Sequence, residues 1–223
     1  SQLVDVGFET AFKAVEPGKR ECEVLGEVMN TFYKYGMETP QCNLIVCSGP
    51  TTAPMQRFAG DRIIQRGDLV FMDLGGCWNG MFSEATRTII CGKPNKTQRE
   101  IYKTVHDIHW RLINAMKPGV HARVLQDVVE APYKESPFYG WMQKMLIVHG
   151  IGIAGGEPPS IPPLPAPAPD LVLQTGMTLA VVITIKPPGV PGGGGVRLED
   201  VVTITESGVE VLTRCPYDEA MLA

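Results

Sequence analysis

Three groups of residues have the types and spacing to do chemistry. The first is Phe71-Met72-Asp73-Leu74-Gly75, followed eleven residues after Asp73 by Glu84 in the run Ser83-Glu84-Ala85-Thr86-Arg87-Thr88. Two carboxylates on adjacent strands of a hairpin can converge on one point, as a metal site or an acid and base pair requires. An Asp at a strand end beside Gly75-Gly76 is more often a turn residue. The second group is Val148-His149-Gly150-Ile151-Gly152, an imidazole in an apolar, glycine-flanked strand; it is either a working histidine or a core histidine with its hydrogen bonds satisfied. The third is Gly195-Val196-Arg197-Leu198-Glu199-Asp200, three charges at the start of a strand, for which an exposed strand end is the plainer explanation.

The elements that must position these groups occur twice. Apolar spacing predicts a helix over 4–15 that stops at Pro17-Gly18, and a second over 21–35 with a buried stripe of Cys22, Leu25, Val28 or Met29, and Phe32. Branched and aromatic residues then predict strands over 43–46, 69–73 and 82–91. Helices over 97–116, ending at Pro118-Gly119, and 122–131 start the pattern again, and strands over 145–153, 177–185 and 196–205 complete it. Val24, Leu25, Glu27 and Val28 recur as Val124, Leu125, Asp127 and Val128, and Gln65-x-Gly67 recurs as Gln174-x-Gly176. Two pseudo-symmetric αβ halves with a cleft between them are the expected arrangement. The stretch 158–169 holds seven prolines in twelve residues and reads as a rigid surface loop rather than a polyproline ligand.

Length and charge bound the function class. The 223 residues can bury a core without staples, and the net charge of −4 gives no basic footprint for nucleic acid. No apolar run reaches the length of a membrane span and no signal peptide is visible, so a cytoplasmic protein without a membrane partner is expected. Six cysteines (Cys22, Cys42, Cys47, Cys77, Cys91, Cys215) lie scattered, without a CxxC pair, as reduced thiols would.

Taken in order and spacing, Asp73-x-Gly75, Glu84-x-Thr86-Arg87, His149-Gly150-Ile151-Gly152, Glu157-Pro158, Gly176-Met177 and Gly195-Val196-Arg197-Leu198-Glu199-Asp200 resemble the creatinase and aminopeptidase family. Methionine aminopeptidases, Xaa-Pro aminopeptidases, prolidases and creatinase belong to it. The resemblance covers nearly the whole chain, including Ser48-Gly49-Pro50 and Gly67-Asp68-Leu69-Val70. It implies an α+β pita-bread domain over 1–223, with the active site in the central cleft. Many relatives carry another domain before this one, and the first residue here is Ser, so the domain is expected to be the C-terminal part of a longer chain.

In the metallopeptidases of that family, two divalent cations are held by Asp, Asp, His, Glu and Glu. Asp73, His149 and Glu199 match three of these positions, and Glu84 replaces the second Asp. Lys186, in Thr184-Ile185-Lys186-Pro187, stands where the family has a Glu. An ammonium has donors only and cannot ligate a cation. No Glu occurs between Pro158 and Leu198 to take over that role, and Asp170 lies well before the strand. Two family histidines are also absent: the region of Met55-Gln56-Arg57 has none, and Gly156 precedes Glu157-Pro158 where a His is usual. Creatinase works without metal, but through a His near the Gln56 position.

These departures give the expectation of a metal-independent centre with no cofactor. Asp73, Glu84 and Glu199 would surround Lys186 and His149, the ammonium taking roughly the place of a metal ion. His149 or Glu84 would accept a proton, and Arg197, Gln56 and Glu157 would contact the substrate. A C–N hydrolase or lyase acting on a small amino-acid-like, dipeptide-like or zwitterionic molecule is the first reading, with homodimer formation as in many relatives. A catalytically silent module binding a peptide or protein is the second, and an Xaa-Pro-type metallopeptidase that tolerates the altered site is the third.

Overall fold

The computed structural model describes residues 1–40, 44–53, 58–142 and 146–223. Helices α1 (Gln2–Ala14) and α2 (Glu21–Lys34) precede strands β1 (Thr39–Pro40), β2 (Ile45–Ser48), β3 (Leu69–Trp78) and β4 (Met81–Ile90). Helices α3 (Lys96–Ala115) and α4 (Ala122–Glu135) precede β5 (Val148–Gly150), β6 (Glu157–Ile161), β7 (Thr178–Ile185), β8 (Val196–Ile204) and β9 (Val209–Val211), and α5 (Glu219–Leu222) closes the chain. The strands form one antiparallel sheet in the order β1-β3-β4-β8-β7-β5-β6, with β2 beside β3 and β9 beside β8.

The duplication is visible in the backbone. Each half opens on a helix that ends near a Pro-Gly pair, and Gly18 and Gly119 take φ of 97° and 85°, a region that favours glycine. A lone bridge then ties the start of each second helix to the segment before the long hairpin, Arg20 to Ile63 in one half and His121 to Val172 in the other. The halves meet where β4 pairs β8 at Thr86 and Glu199.

Side chains alternate between the two faces of a strand. One face of the sheet packs on the helices: Val70, Met72 and Leu74 lie with Phe8, Val28 and Phe32, and Val181, Ile183 and Leu198 lie with Ile101, Val105 and Ile108. In α2 the buried row is Glu21, Val24, Val28 and Phe32, with Cys22, Leu25 and Met29 on its flank. Gly7 of α1 sits against the Phe32 ring, so a Cβ there would run into it. Gly7→Ala is therefore expected to destabilise by about 1–3 kcal/mol despite alanine's better helix propensity, and chemical denaturation measures it.

Three differences from the sequence reading concern the elements. β3 runs on to Trp78 because Gly75 and Gly76 continue the ladder opposite Glu84 and Ser83 instead of turning. Helix α4 passes through Pro132 and adds a last turn before Ser136. The start of the proline-rich stretch is a strand, β6, on the outer edge of the sheet, where prolines need not donate to a second neighbour.

Candidate active site

The face turned away from the helices carries the chemistry. Cross-strand partners share a face, so Asp73 opposite Thr86, Gly75 opposite Glu84, Thr86 opposite Glu199, Val182 opposite Glu199 and Thr184 opposite Arg197 build one continuous surface across both halves. His149 joins it from β5, opposite Ala180. Asp73, Glu84, His149, Glu157, Arg197 and Glu199 all line one cavity of about 1080 Å³, with Ile45, Phe58, Phe82, Ile153 and Val182 supplying apolar wall.

At the centre, Thr86 Oγ1 donates to Glu199 Oε2 at 2.6 Å. His149 Nε2 lies 3.4 Å from Glu84 Oε1 and 3.4 Å from Glu199 Oε1. Its Nδ1 lies 3.0 Å from the Gly150 carbonyl oxygen, which can only accept, so the proton is on Nδ1. Gly150 is required beside it, because a Cβ there would come within 2.5 Å of the Pro158 carbonyl oxygen of β6. Glu157 accepts from the Ala154 amide at 2.9 Å on the cavity wall.

Arg197 is held on two sides, its Nε donating to Thr184 Oγ1 at 2.9 Å and its Nη1 to Asp73 Oδ2 at 2.9 Å. Burial, and then the charge of Glu199, push the Asp73 carboxyl up to about 7 against the opposing effect of Arg197. Burial opposes charge on His149, but the Glu199 carboxylate and the Gly150 carbonyl more than offset it, and the imidazole pKa is raised. Burial likewise opposes ionisation of Glu199, yet His149, Arg197 and Thr86 together hold it below its ordinary value.

Two expectations are corrected by this geometry. Lys186 does not take the place of a metal ion among the three carboxylates: it lies one residue beyond β7, and the row that pairs Val182 with Glu199 and Thr184 with Arg197 puts Arg197 between it and Glu199. Burial, then the nearby Arg197 charge, lowers its pKa, and it is absent from the described lining of the cavity. The cation that faces Asp73 is Arg197, so this guanidinium is engaged within the protein before any substrate carboxylate arrives. Gln56 lies outside the described residues.

The opposite face holds a network that the sequence reading assigned no role. Arg87 and Asp200, each 1% exposed in the side chain, form an ion pair at 2.6 Å. Asp200 also pairs with His109 Nε2 at 2.8 Å and accepts from Tyr217 Oη and Thr213 Oγ1, both at 2.6 Å. Arg87 Nη1 donates to the carbonyls of Thr86 and Glu199 at 2.9 and 2.8 Å, directly behind the two site residues. The alternation of Thr86 with Arg87 and of Glu199 with Asp200 was the available signal: in each pair one side chain faces the cleft and the other the helices.

Comparison with known proteins places the chain in a family. Residues 1–206 match the model of metallopeptidase family M24, and the chain belongs to that family, whose fold is the pita-bread arrangement described above. It is 38% identical over 216 residues to the Xaa-Pro dipeptidase of Pyrococcus furiosus, covering 96% of this chain and 59% of that protein. The solved prolidase from Pyrococcus furiosus superposes with a TM-score of 0.88 at 35% identity, covering 96% of this chain and 61% of that one. For the Xaa-Pro dipeptidase from Bacillus anthracis the values are 0.88 and 32%, covering 97% and 59%. The chain thus spans about three fifths of the length of these relatives.

The two-cation arrangement implied by the family resemblance does not fit these residues. Val182, which offers no ligand atom, stands opposite Glu199 on the cavity wall, and Asp73 is committed to Arg197.

Proposed function

We propose that this domain is the catalytic part of a hydrolase that cleaves the C–N bond of a dipeptide-sized, amino-bearing substrate, with Xaa-Pro dipeptides as the first candidates. The observation that carries the reading is the convergence of His149, Glu84, Glu199 and Asp73 in one cavity. A silent binding module has no reason to keep these groups buried together, since burying polar groups side by side costs stability.

The cavity has the volume of a small-molecule site. Four carboxylates (Asp73, Glu84, Glu157, Glu199) face one guanidinium among its described lining, so it favours a ligand with a positive end such as an α-ammonium. Arg197 spends two of its five N–H donors on Thr184 and Asp73, and its remaining donors are the candidates for the developing oxyanion. Glu84 and Glu199 are placed to take a proton from water, and His149 Nε2, between them, is placed to relay it to the leaving nitrogen. Lys186 adds positive charge near Arg197. The related expectations of a cytoplasmic homodimer belong to the same proposal and are checked by fractionation and light scattering. Among the described residues no helix is long and apolar enough to cross a membrane.

The test is release of free amino acids from a panel of Xaa-Pro and non-proline dipeptides by the full protein. Cleavage of at least one member is expected. Absence of both cleavage and any ligand-induced thermal shift across the panel, with and without added divalent cation, would overturn the reading.

A further inference from the structure

The candidate site straddles a seam in the sheet. Asp73 and Glu84 come from the first half, and His149, Arg197 and Glu199 from the second. Across the seam β4 and β8 share one ladder pair, Thr86 with Glu199, whereas β4 pairs β3 along its whole length and β8 pairs β7 from Val196 to Thr203. Backbone pairing alone gives the halves a short hold on each other, so side chains must set the distance between Glu84 and His149. We propose that Tyr217, in the segment after β9, is a positioning residue for this site: it fixes the Arg87 guanidinium, which fastens the two halves from behind.

Arg87 Nη1 donates to one carbonyl on each side of the seam, that of Thr86 on β4 at 2.9 Å and that of Glu199 on β8 at 2.8 Å. Beside it, Thr88 Oγ1 accepts from the Arg197 amide and donates to the Arg197 carbonyl, both at 3.1 Å. The remaining Arg87 donors are also placed: Nη2 bonds Asp200 Oδ1 at 2.6 Å and the Cys215 carbonyl at 2.9 Å, and Nε bonds that same carbonyl at 3.2 Å. A guanidinium has five N–H donors in a rigid fork. With all five committed, Arg87 cannot shift without breaking a bond.

Tyr217 holds this group in the direction its edge donors leave open. A planar guanidinium stacks on aromatic faces, and the Tyr217 ring lies 4.3 Å from Arg87 Cζ. Its Oη donates to Asp200 Oδ2 at 2.6 Å, so one residue fixes both Arg87 and its counter-ion.

The segment that carries Tyr217 is itself anchored to both halves. Asp5 of α1 accepts from the Arg214 and Cys215 amides at 2.7 and 2.9 Å. Asp218 accepts from the Ile90 amide at the end of β4 at 2.8 Å, and its own amide donates to Tyr102 Oη of α3 at 3.0 Å. It is a brace across the back of the seam rather than a loose tail. A contact that served stability alone would leave the seam unmoved when it is altered, and that difference is measurable.

The consequence for turnover rests on the hydrolase reading above, but the positioning is read without turnover. Hydrogen–deuterium exchange of the full protein, followed by mass spectrometry of peptides covering 81–90 and 196–204, compares wild type with Tyr217→Phe at a temperature where circular dichroism shows both folded. The substitution keeps the ring over Arg87 and removes only the Oη bond. Exchange in the two seam peptides is expected to quicken about 10-fold. On the best dipeptide, kcat is expected to fall about 10-fold with KM changed less than about twofold, because small displacements of reacting groups are felt in turnover. Asp5→Ala loosens the same segment from α1 without touching Arg87 or Asp200; it is expected to act in the same direction and serves if Tyr217→Phe does not fold. Quickened exchange confined to 213–223, or a loss of activity carried by KM alone, would overturn the proposal. Quickened seam exchange in a protein that cleaves no dipeptide would leave the positioning role standing and sink the hydrolase reading; cleavage with the seam unmoved in the folded variants would do the reverse.

Discussion

Asp200→Asn is expected to lower the free energy of unfolding by about 3–5 kcal/mol, since it leaves the buried Arg87 charge without its counter-ion. Two carboxylate oxygens there serve four donors: Arg87 and Thr213 on Oδ1, His109 and Tyr217 on Oδ2. An amide supplies one acceptor oxygen and turns an NH₂ toward the other pair. The double variant Arg87→Met with Asp200→Leu is expected to recover part of the loss, because it removes both charges at once but leaves the hydroxyls of Thr213 and Tyr217 and the ring of His109 without their acceptor. Urea denaturation of the three proteins measures both effects, and equal instability of the single and double variants would refute the ion-pair explanation.

The same group gives a pH signature. Burial by itself would raise the Asp200 pKa, but Arg87 and His109 hold it well below the usual carboxylate range. A carboxylate depressed in the folded state contributes stability above its unfolded pKa and loses it as pH falls toward the folded value. Wild-type stability is therefore expected to fall as pH drops below about 4, and the Asp200→Asn curve to be flatter over that window. Since Arg87 also holds the carbonyls of Thr86 and Glu199, any folded fraction of the variant is expected to have lower activity as well.

His149→Ala is the second large effect. If His149 relays the proton to the leaving nitrogen, its removal is expected to reduce kcat/KM on the best dipeptide by about 10²–10⁴-fold, with Tm changed far less than in Asp200→Asn. The reasons are its position and support: Nε2 faces two carboxylates, while Nδ1 bonds only the neighbouring carbonyl. His149→Gln keeps a donor but not an imidazole and is expected to remain near the alanine value. A loss under 10-fold in His149→Ala would assign the proton transfer to Glu84 or Glu199 instead.

How much of this could be read from the chain alone depends on the kind of statement. The Pro-Gly stops, the Gln-x-Gly turns and the repeated helix and strand periods are local, and Gly67 and Gly176 adopt φ of 88° and 90° in matching places. Strand alternation is local too: Thr86 with Arg87, and Glu199 with Asp200, must face opposite ways whatever surrounds them. Those features predicted the two halves and the cleft, whereas the grouping of Asp73, Glu84, His149 and Glu199 into one site came from the family resemblance.

Other features are long-range and had no local signal. That β6 is an edge strand depends on the last strand of the sheet being elsewhere, and the buried role of His109 depends on Asp200, 91 residues away. The partner of Asp73 is Arg197, at a separation of 124 residues. The sequence by itself determined the charge that each residue brings, a cation at Lys186 and at Arg197 and carboxylates at Asp73, Glu84 and Glu199, because residue chemistry is written there directly. Only the tertiary structure decided which cation faces the acids: cross-strand register put Arg197, not Lys186, beside Asp73, and brought His149 within 3.4 Å of both Glu84 and Glu199.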